Sequence, residues 1–148
     1  MATYPAIFNP SNATVIRTVM ESAALQMRKK LHGGAIKADV LLMLSPELKE
    51  TVKTYNAIVV ASVKAHAQSI QMFVAEYGAL PRKKIANLVM KQFDPRLHSI
   101  IFATLDGGEP LPLLSTLLMN ASNSDAGTKT YCDLFGLSWD KTVPAAVH

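Results

Sequence analysis

The hydrophobic and polar positions of this chain predict helices along most of its length. A turn and a helix start signal lie at residues 9–12, and apolar residues then recur at every fourth position as far as Leu31. This spacing places them on one face of a helix that begins near Ser11 and ends at Gly33-Gly34. The apolar stretch from Lys37 to Leu44 is ambiguous in its period, and we interpret it as a short helix.

The longest uninterrupted helical pattern runs from Pro46 to Tyr77. It opens with Ser45-Pro46-Glu47, where serine suits the cap, proline the first turn and an acid the positive end of the helix dipole. Neither proline nor glycine interrupts the pattern before Gly78. A helix of about 30 residues is ~45 Å long at 1.5 Å per residue. Ile58-Val59-Val60 alone would fit a strand, but the surrounding period predicts a helix.

The second half of the chain predicts three shorter helices. The first begins at Pro81 and is broken by Asp94-Pro95, since proline disfavours helical backbone in the residue before it. The second covers Leu97–Leu105, although Ile100–Phe102 would also fit a strand, and the third covers Leu113–Met119. Together with the long helix they predict an all-α fold.

The remaining segments complete one helical domain, residues 1–148, built as a bundle around the long central helix. Residues 120–130 are polar and contain glycine, which predicts a loop. The apolar residues between Tyr131 and Trp139 form a patch that we expect to dock on the helices. Residues 1–10 and 140–148 are expected to be loosely ordered, as chain ends often are.

Composition is typical of a soluble globular protein. With 148 residues, 49% of them hydrophobic and 18% charged, the chain can bury a core and is too apolar to be disordered. Its single cysteine, Cys132, excludes an internal disulfide and fits a reducing compartment. No uninterrupted apolar run reaches the ~20 residues that cross a bilayer, and the first residues lack a secretory signal pattern. We therefore expect a cytoplasmic protein with no membrane partner.

No constellation in the sequence predicts catalysis, a metal or a cofactor. The histidines and Cys132 stand at no recognised metal-ligand spacing. His66 lies beside the apolar stripe of the long helix, which favours a half-buried structural histidine, and Cys132 is more typical of a packing residue than of a nucleophile. Neither G-x-S-x-G nor G-x-x-x-x-G-K-[ST] occurs. We predict a protein that is not an enzyme and needs no cofactor.

Charge is distributed unevenly along the chain. Residues 1–104 contain 13 Lys and Arg against 6 Asp and Glu, whereas residues 105–148 contain 2 against 5. The formal net charge of +4 therefore combines a basic body of +7 with an acidic tail of −3. Such asymmetry favours an anionic partner, and nucleic acid is the commonest one.

The densest basic cluster lies in the helix that follows Pro81. Three cations fall in its first turn, where they oppose the helix dipole at a cost of about a few tenths of a kcal/mol each. Helix N-terminal amides and basic side chains together suit phosphate groups. We predict that the phosphate backbone is held by Arg82, Lys83, Lys84, Lys91 and Arg96. The alternative is an ordinary solvated charged face.

Two further groups of residues bear on this hypothesis. Arg28, Lys29 and Lys30 extend the basic track if they fall on the same side, although cations in a last helical turn also suit the dipole. Tyr77 and Phe93 are the nearest aromatic residues that could stack with bases, but both also fit the apolar stripes.

Three segments carry a resemblance to a known family. They are Leu44-Ser45-Pro46-Glu47-Leu48, Leu80-Pro81-Arg82-Lys83-Lys84-Ile85-Ala86, and the stretch from Leu97 to Gly107 that ends in Leu105-Asp106-Gly107. Together they resemble, over roughly residues 40–120, the helical C-terminal domain of the phage-type RNA ligases that reseal cleaved tRNA. The resemblance implies an all-helical, RNA-associated scaffold of phage origin.

The same resemblance does not imply ligase activity. The family forms a lysyl-adenylate from a Lys-x-Asp-Gly motif, whereas here Thr104 stands at the lysine position before Asp106-Gly107. Family members usually place lysine after Leu-Asp-Gly, where this chain has Gly108. The chain is also too short to hold the nucleotidyltransferase domain that precedes this domain in the family.

These observations predict a non-catalytic RNA-binding or nucleic-acid-binding protein with little base specificity, whose ligand is single-stranded or structured RNA. The alternative is a structural or assembly protein that forms homo-oligomers through the long helix and the aromatic patch between Tyr131 and Trp139. The two are compatible, because multimers raise the affinity for long polyanions.

Overall fold

The computed structural model of the chain describes residues 12–28 and 46–139. Over these residues it contains α-helices and two short 3-10 helices, and no strand. The α-helices are α1 (Asn12–Arg28), α2 (Pro46–Tyr77), α3 (Arg82–Gln92), α4 (His98–Leu105), α5 (Pro110–Ala121) and α6 (Asp125–Tyr131), and the 3-10 helices are Pro95–Leu97 and Cys132–Phe135. The predicted all-α fold is confirmed. The helix expected at Lys37–Leu44 and both chain ends lie outside the described residues.

The long helix α2 has the bounds that its sequence pattern predicts. Val59, Val63 and Ile70 are fully buried, so the helical period decides over the strand preference of Ile58-Val59-Val60. Ile100–Phe102 is likewise helical, within α4. The Lys49–Tyr77 part of α2 is long and apolar enough to cross a membrane. The core helices of soluble proteins meet the same two criteria of length and composition.

The chain forms two compact units. The first unit comprises residues 1–62 and 115–148, and the second unit comprises residues 63–114. Helices α2 and α5 contribute residues to both units. The organisation as one domain stays a prediction.

The first unit joins α1 to the N-terminal part of α2 and to the C-terminal segments. Val19, Met20 and Ala23 of α1 are completely buried, as the fourfold spacing predicts. The Asn56 side chain of α2 donates a hydrogen bond to Gln26 Oε1 at 3.0 Å and accepts a longer one from Ser22 Oγ at 3.4 Å. These contacts place polar groups at the α1–α2 boundary without leaving them unsatisfied.

The prediction of a loop over residues 120–130 is wrong for residues 120 and 121, which end α5, and for residues 125–130, which belong to α6. Ser124 caps this helix, since its hydroxyl accepts a hydrogen bond from the Gly127 amide at 3.0 Å. Arg17 of α1 fixes the preceding turn, with its Nε donating to the Ser122 carbonyl and its Nη2 to the Asn123 carbonyl, both at 3.0 Å. The polar residues of this segment therefore serve as caps and bridges.

The apolar patch after α6 docks inside the first unit as predicted. Leu134, Phe135 and Leu137 are buried, whereas Tyr131 and Trp139 are half-buried. Ser62 Oγ of α2 donates a hydrogen bond to the Leu134 carbonyl at 3.3 Å. The patch is thus mostly consumed by internal packing.

The second unit places α3 and α4 beside the C-terminal part of α2. Its core includes Ile70, Val89 and Ile101, each with no exposed surface. Helix α5 begins at Pro110 and not at Leu113, because the first amides of a helix need no helical acceptor and proline is tolerated there.

Candidate nucleic-acid interface

Helix α3 carries the basic cluster and has an unusual first turn. Pro81 is its N-cap, with φ −56° and ψ 141°, and its carbonyl accepts hydrogen bonds from the amides of Lys84 and Ile85 at 2.9 and 3.1 Å. No side chain caps the helix, and its first turn contains no acidic residue. No carboxylate within the first turn therefore compensates the dipole at this end of the helix.

Burial divides α3 into an inner and an outer side. Ile85 and Val89 are buried at 2% and 0% exposure, whereas Lys83, Lys84 and Lys91 are exposed. Lys84 and Lys91 are seven residues apart, which is about two turns, so they lie on the same side ~10.5 Å apart along the axis. Asn87, also exposed, lies between them. We call the surface of Lys83, Lys84, Asn87 and Lys91 the lysine face.

None of these three lysines forms an ion pair with a residue that the structure describes. The second unit, all of whose residues are described, carries six Lys and Arg against four Asp and Glu, a net charge of +2. Two of its four carboxylates, those of Asp94 and Asp106, form salt bridges with arginines. The positive charge that is not used in these salt bridges therefore lies on lysines.

Arg82 is exposed but engaged within the second unit. Its Nη2 forms a salt bridge with the Asp106 carboxylate at the end of α4, and its guanidinium lies 5.7 Å from the centre of the Phe102 ring. Both partners are on α4 or its C-cap, so Arg82 ties the start of α3 to the end of α4. Phosphate binding by Arg82 requires competition with this carboxylate.

Arg96 is held more firmly. Its backbone amide and Nε donate to Asp94 Oδ1 at 2.8 and 2.9 Å, and its Nη2 donates to Asp94 Oδ2 at 2.8 Å. These hydrogen bonds from Arg96 lower the pKa of Asp94 to about 2. The pair closes the Pro95–Leu97 turn, in which Asp94 is the N-cap. The structure therefore gives Arg96 a local structural role that its place in a basic run does not reveal.

Of the second basic cluster, Arg28–Lys30, the structure describes only the first residue. Arg28 is the last residue of α1, and Lys29 and Lys30 lie outside the described residues. Their membership of one track with the lysine face stays a prediction.

The aromatic side chains near α3 are engaged with one another. Phe73 is buried, and its ring centre lies 5.1 Å from those of both Tyr77 and Phe93. The Phe93 ring meets Phe73 edge-on, at 83° between planes. The Tyr77 hydroxyl donates to the Glu76 carboxylate, and this hydrogen bond, with the charge of the carboxylate, raises the pKa of Tyr77. These contacts agree with the sequence spacing, which favours core packing over base stacking for Tyr77 and Phe93.

The candidate metal-ligand and nucleophile residues of the sequence lie at buried or half-buried positions in the described part of the chain. Among the described residues no group of three His, Cys, Asp or Glu side chains is placed to hold a metal ion. His66 is half-buried on α2. Cys132 is buried, and burial raises the pKa of its thiol, which disfavours the reactive thiolate. A cavity of about 310 Å³ in the first unit is lined by Tyr55, Ile58, Asp133, Gly136, Leu137 and Ser138.

Comparison with protein-family models, with curated proteins and with solved structures finds no match to this chain. The resemblance to the C-terminal domain of tRNA-repair RNA ligases therefore stays a prediction based on the three sequence segments.

Proposed function

We propose that this protein is a non-catalytic nucleic-acid-binding protein that holds the phosphate backbone of RNA on the lysine face of α3. The observation that carries the proposal is the placement of Lys83, Lys84 and Lys91 on one exposed side of a helix, where no carboxylate of residues 12–28 or 46–139 forms an ion pair with them. Lys83 and Lys84 belong to one of the three segments that resemble the C-terminal domain of tRNA-repair RNA ligases, and this resemblance favours RNA over other polyanions. The proposal includes no cofactor and no membrane partner.

The affinity of such a surface comes mainly from counterion release. Each phosphate neutralised on a duplex contributes about −0.9 to the slope of log K against log salt, so three lysines give about −2.7 and five cations give about −4.5. Because Arg82 and Arg96 are already paired with carboxylates, we expect the smaller slope. Base specificity is expected to be low, since phosphate contacts carry no sequence information.

The direct test removes charge from the lysine face. The double variant Lys84→Gln/Lys91→Gln keeps a long polar side chain of similar helix propensity at each position, and deletes two of the three phosphate contacts. We expect its affinity for a fluorescein-labelled RNA with a hairpin and a single-stranded tail to fall on the order of 100-fold at ~50 mM salt.

The matched control is Lys53→Gln/Lys129→Gln, which removes two exposed lysines from the first unit. It changes net charge equally and is expected to bind nearly as well as the unaltered protein. Equal losses in the two double variants, or no RNA binding by the unaltered protein at ~50 mM salt, contradict the proposal.

A second candidate function is self-association, and exposed apolar side chains favour it. Met72 on α2 and Met90 on α3 are 64% and 70% exposed, and Leu80 and Ile58 are 38% and 39% exposed. The aromatic patch contributes little, because most of it is buried inside the first unit. A homo-oligomer would therefore use the outer side of α2.

Light scattering over a range of concentrations tests this candidate. We expect Met72→Lys to lower the average mass if the outer side of α2 is an interface, and Ser99→Lys, at an exposed position of α4, to serve as a control for added charge. A monomer at all concentrations contradicts the candidate.

A further inference from the structure

The cavity of the first unit lies between α2 and residues 133–138. Tyr55 and Ile58 line it from the helix, and Asp133, Gly136, Leu137 and Ser138 line it from the opposite side. Its volume of about 310 Å³ is at the lower end of the range of about 300–1,000 Å³ that small-molecule sites occupy. At about 30 Å³ for each water-sized group, the cavity holds on the order of ten non-hydrogen atoms.

The walls of this cavity are fixed by internal hydrogen bonds. The Gly136 amide donates to the Asp133 carbonyl at 3.1 Å, which closes the turn. Ser62 of α2 donates to the Leu134 carbonyl at 3.3 Å, which holds the turn segment against the helix. Because the walls are already in place, a ligand does not have to order them on binding.

Tyr55 brings a polar group without a protein partner to the cavity. The residue is only 9% exposed, and no hydrogen bond joins its hydroxyl to a residue of 12–28 or 46–139. Buried hydroxyl groups are usually hydrogen-bonded, since an unmet one costs free energy. A phenol hydroxyl both donates and accepts, so the Tyr55 hydroxyl is able to bind a polar group of a ligand.

The other lining residues select the kind of ligand. Ile58 is apolar and yet 39% exposed, and with Leu137 it offers a contact to an apolar body. Among the six lining residues Asp133 alone carries a charge, and it is exposed, as is Ser138. A carboxylate accepts about four hydrogen bonds, so a ligand N–H needs only part of this capacity. The negative charge favours a cation and disfavours an anion.

We propose that this cavity is a binding site for a small organic amine. Its ammonium group donates to the Asp133 carboxylate, its apolar body contacts Ile58 and Leu137, and a second polar group bonds the Tyr55 hydroxyl. The site does not depend on the proposed function, whose lysines belong to the second unit.

The test titrates the isotope-labelled protein with three probes of one skeleton and follows the Gly136 and Leu137 amides by NMR. The probes are phenylethanolamine, phenylethylene glycol and mandelate, in which an ammonium, a hydroxyl or a carboxylate stands at the same end of the molecule. A ligand of about ten atoms is expected to bind with a Kd on the order of 1 mM. The glycol should bind between about 1.4-fold and about fivefold more weakly than the amine, and mandelate more weakly still.

A charge variant tests the role of Asp133. Asp133→Asn should weaken binding of the amine by the same factor of about 1.4 to about 5 and leave binding of the glycol unchanged. The matched control is Glu21→Gln, which removes an exposed carboxylate of α1 outside the cavity and should change neither affinity. Equal losses in the two variants, mandelate binding as tight as amine binding, or no shift of the two amides at ~10 mM amine overturns the inference.

Tyr55→Phe gives a readout that does not need a ligand. We expect it to weaken binding of both the amine and the glycol by about 2- to 13-fold, the loss of one hydrogen bond. Because the hydroxyl has no partner in the described part of the chain, the urea midpoint of this variant should be no lower than that of the unaltered protein. A lower midpoint indicates a partner within the fold and overturns the inference.

Discussion

The substitution Asp106→Asn should strengthen nucleic-acid binding, because the Asp106 carboxylate neutralises Arg82 beside the lysine face. In the structure the Asp106 carboxylate accepts a salt bridge from Arg82, and the side chains are 64% and 54% exposed. Replacing Asp106 with asparagine keeps the size of the side chain and removes its charge. Arg82 then retains its position over Phe102, which contributes about 0.5–1 kcal/mol, and at most a neutral hydrogen bond to the asparagine oxygen.

The size of the effect has two limits. If phosphate already displaces Asp106 in the unaltered protein, the variant gains only the free energy of an exposed ion pair, about 0.2–1 kcal/mol, which is at most about fivefold in affinity. If Arg82 contributes nothing until it is released, one added phosphate contact increases duplex affinity about 15-fold at ~50 mM salt and steepens the salt slope by about 0.9. We therefore expect a gain between about 1.4-fold and about 15-fold.

Polarisation titration of a labelled RNA duplex measures this gain, and the protein offers a close control. Asp125 of the first unit also pairs with an arginine, Arg17, at 3.2 Å and with 67% and 40% exposed side chains. Asp125→Asn changes net charge by the same amount. An unchanged or weaker affinity in Asp106→Asn, or an equal gain in Asp125→Asn, refutes the reasoning that Asp106 restrains the basic surface.

Further predictions concern stability. The pKa of Asp94 is about 2 instead of 3.8, so its ionised form stabilises the fold fully above about pH 4, and this contribution is lost as pH falls toward 2. The shift corresponds to at most about 2.4 kcal/mol, which solvent screening of a side chain that is 33% exposed reduces to about 1 kcal/mol. Urea titrations of Asp94→Asn should show that loss at pH 7 and progressively less below pH 4, and a loss independent of pH would contradict this origin. Gly136 has φ +87°, and a Cβ there would lie 2.8 Å from Ile58 Cγ2, so Gly136→Ala should lower the free energy of unfolding by ~2 kcal/mol or more. Gly107→Ala, at φ +105° in open space, should lower it by only ~1 kcal/mol, and equal losses would contradict the role of the Ile58 contact.

The long helix was predictable because its determinants are local. A serine, a proline and an acid begin it, Gly78 follows its last residue, and no breaker lies between. The inward positions Ile85 and Val89 and the outward lysines of α3 were also fixed by helical period. Such features depend on residues within a few turns of one another.

Helix α6 could not be predicted because its support comes from a distant part of the chain. Residues 120–130 have the composition of a loop, and their Ser124 cap is a weak signal on its own. Arg17 supplies the missing contacts from more than 100 residues away, through the Ser122 and Asn123 carbonyls. Local propensity cannot reveal a bridge of that separation.

The arginines of the basic cluster illustrate the same limit for the candidate site. Arg82 meets Asp106 across 24 residues, a pairing that sequence spacing does not indicate. The Asp94–Arg96 pair, by contrast, is only two residues apart, and an acid before Pro95 is a signal for a capped turn that could have been recognised. Counting charge alone therefore does not reveal which cations are already paired with carboxylates.

The salt dependence of RNA-duplex binding tests the central claim most directly, because it counts the cations that meet phosphates. Polarisation titrations of the unaltered protein between ~50 and ~200 mM salt should give a slope of log K against log salt near −2.7, which is about a 40-fold loss of affinity over that range. The Lys84→Gln/Lys91→Gln variant should give a slope near −0.9. A slope near zero in the unaltered protein, or one that this double variant leaves unchanged, would contradict the account.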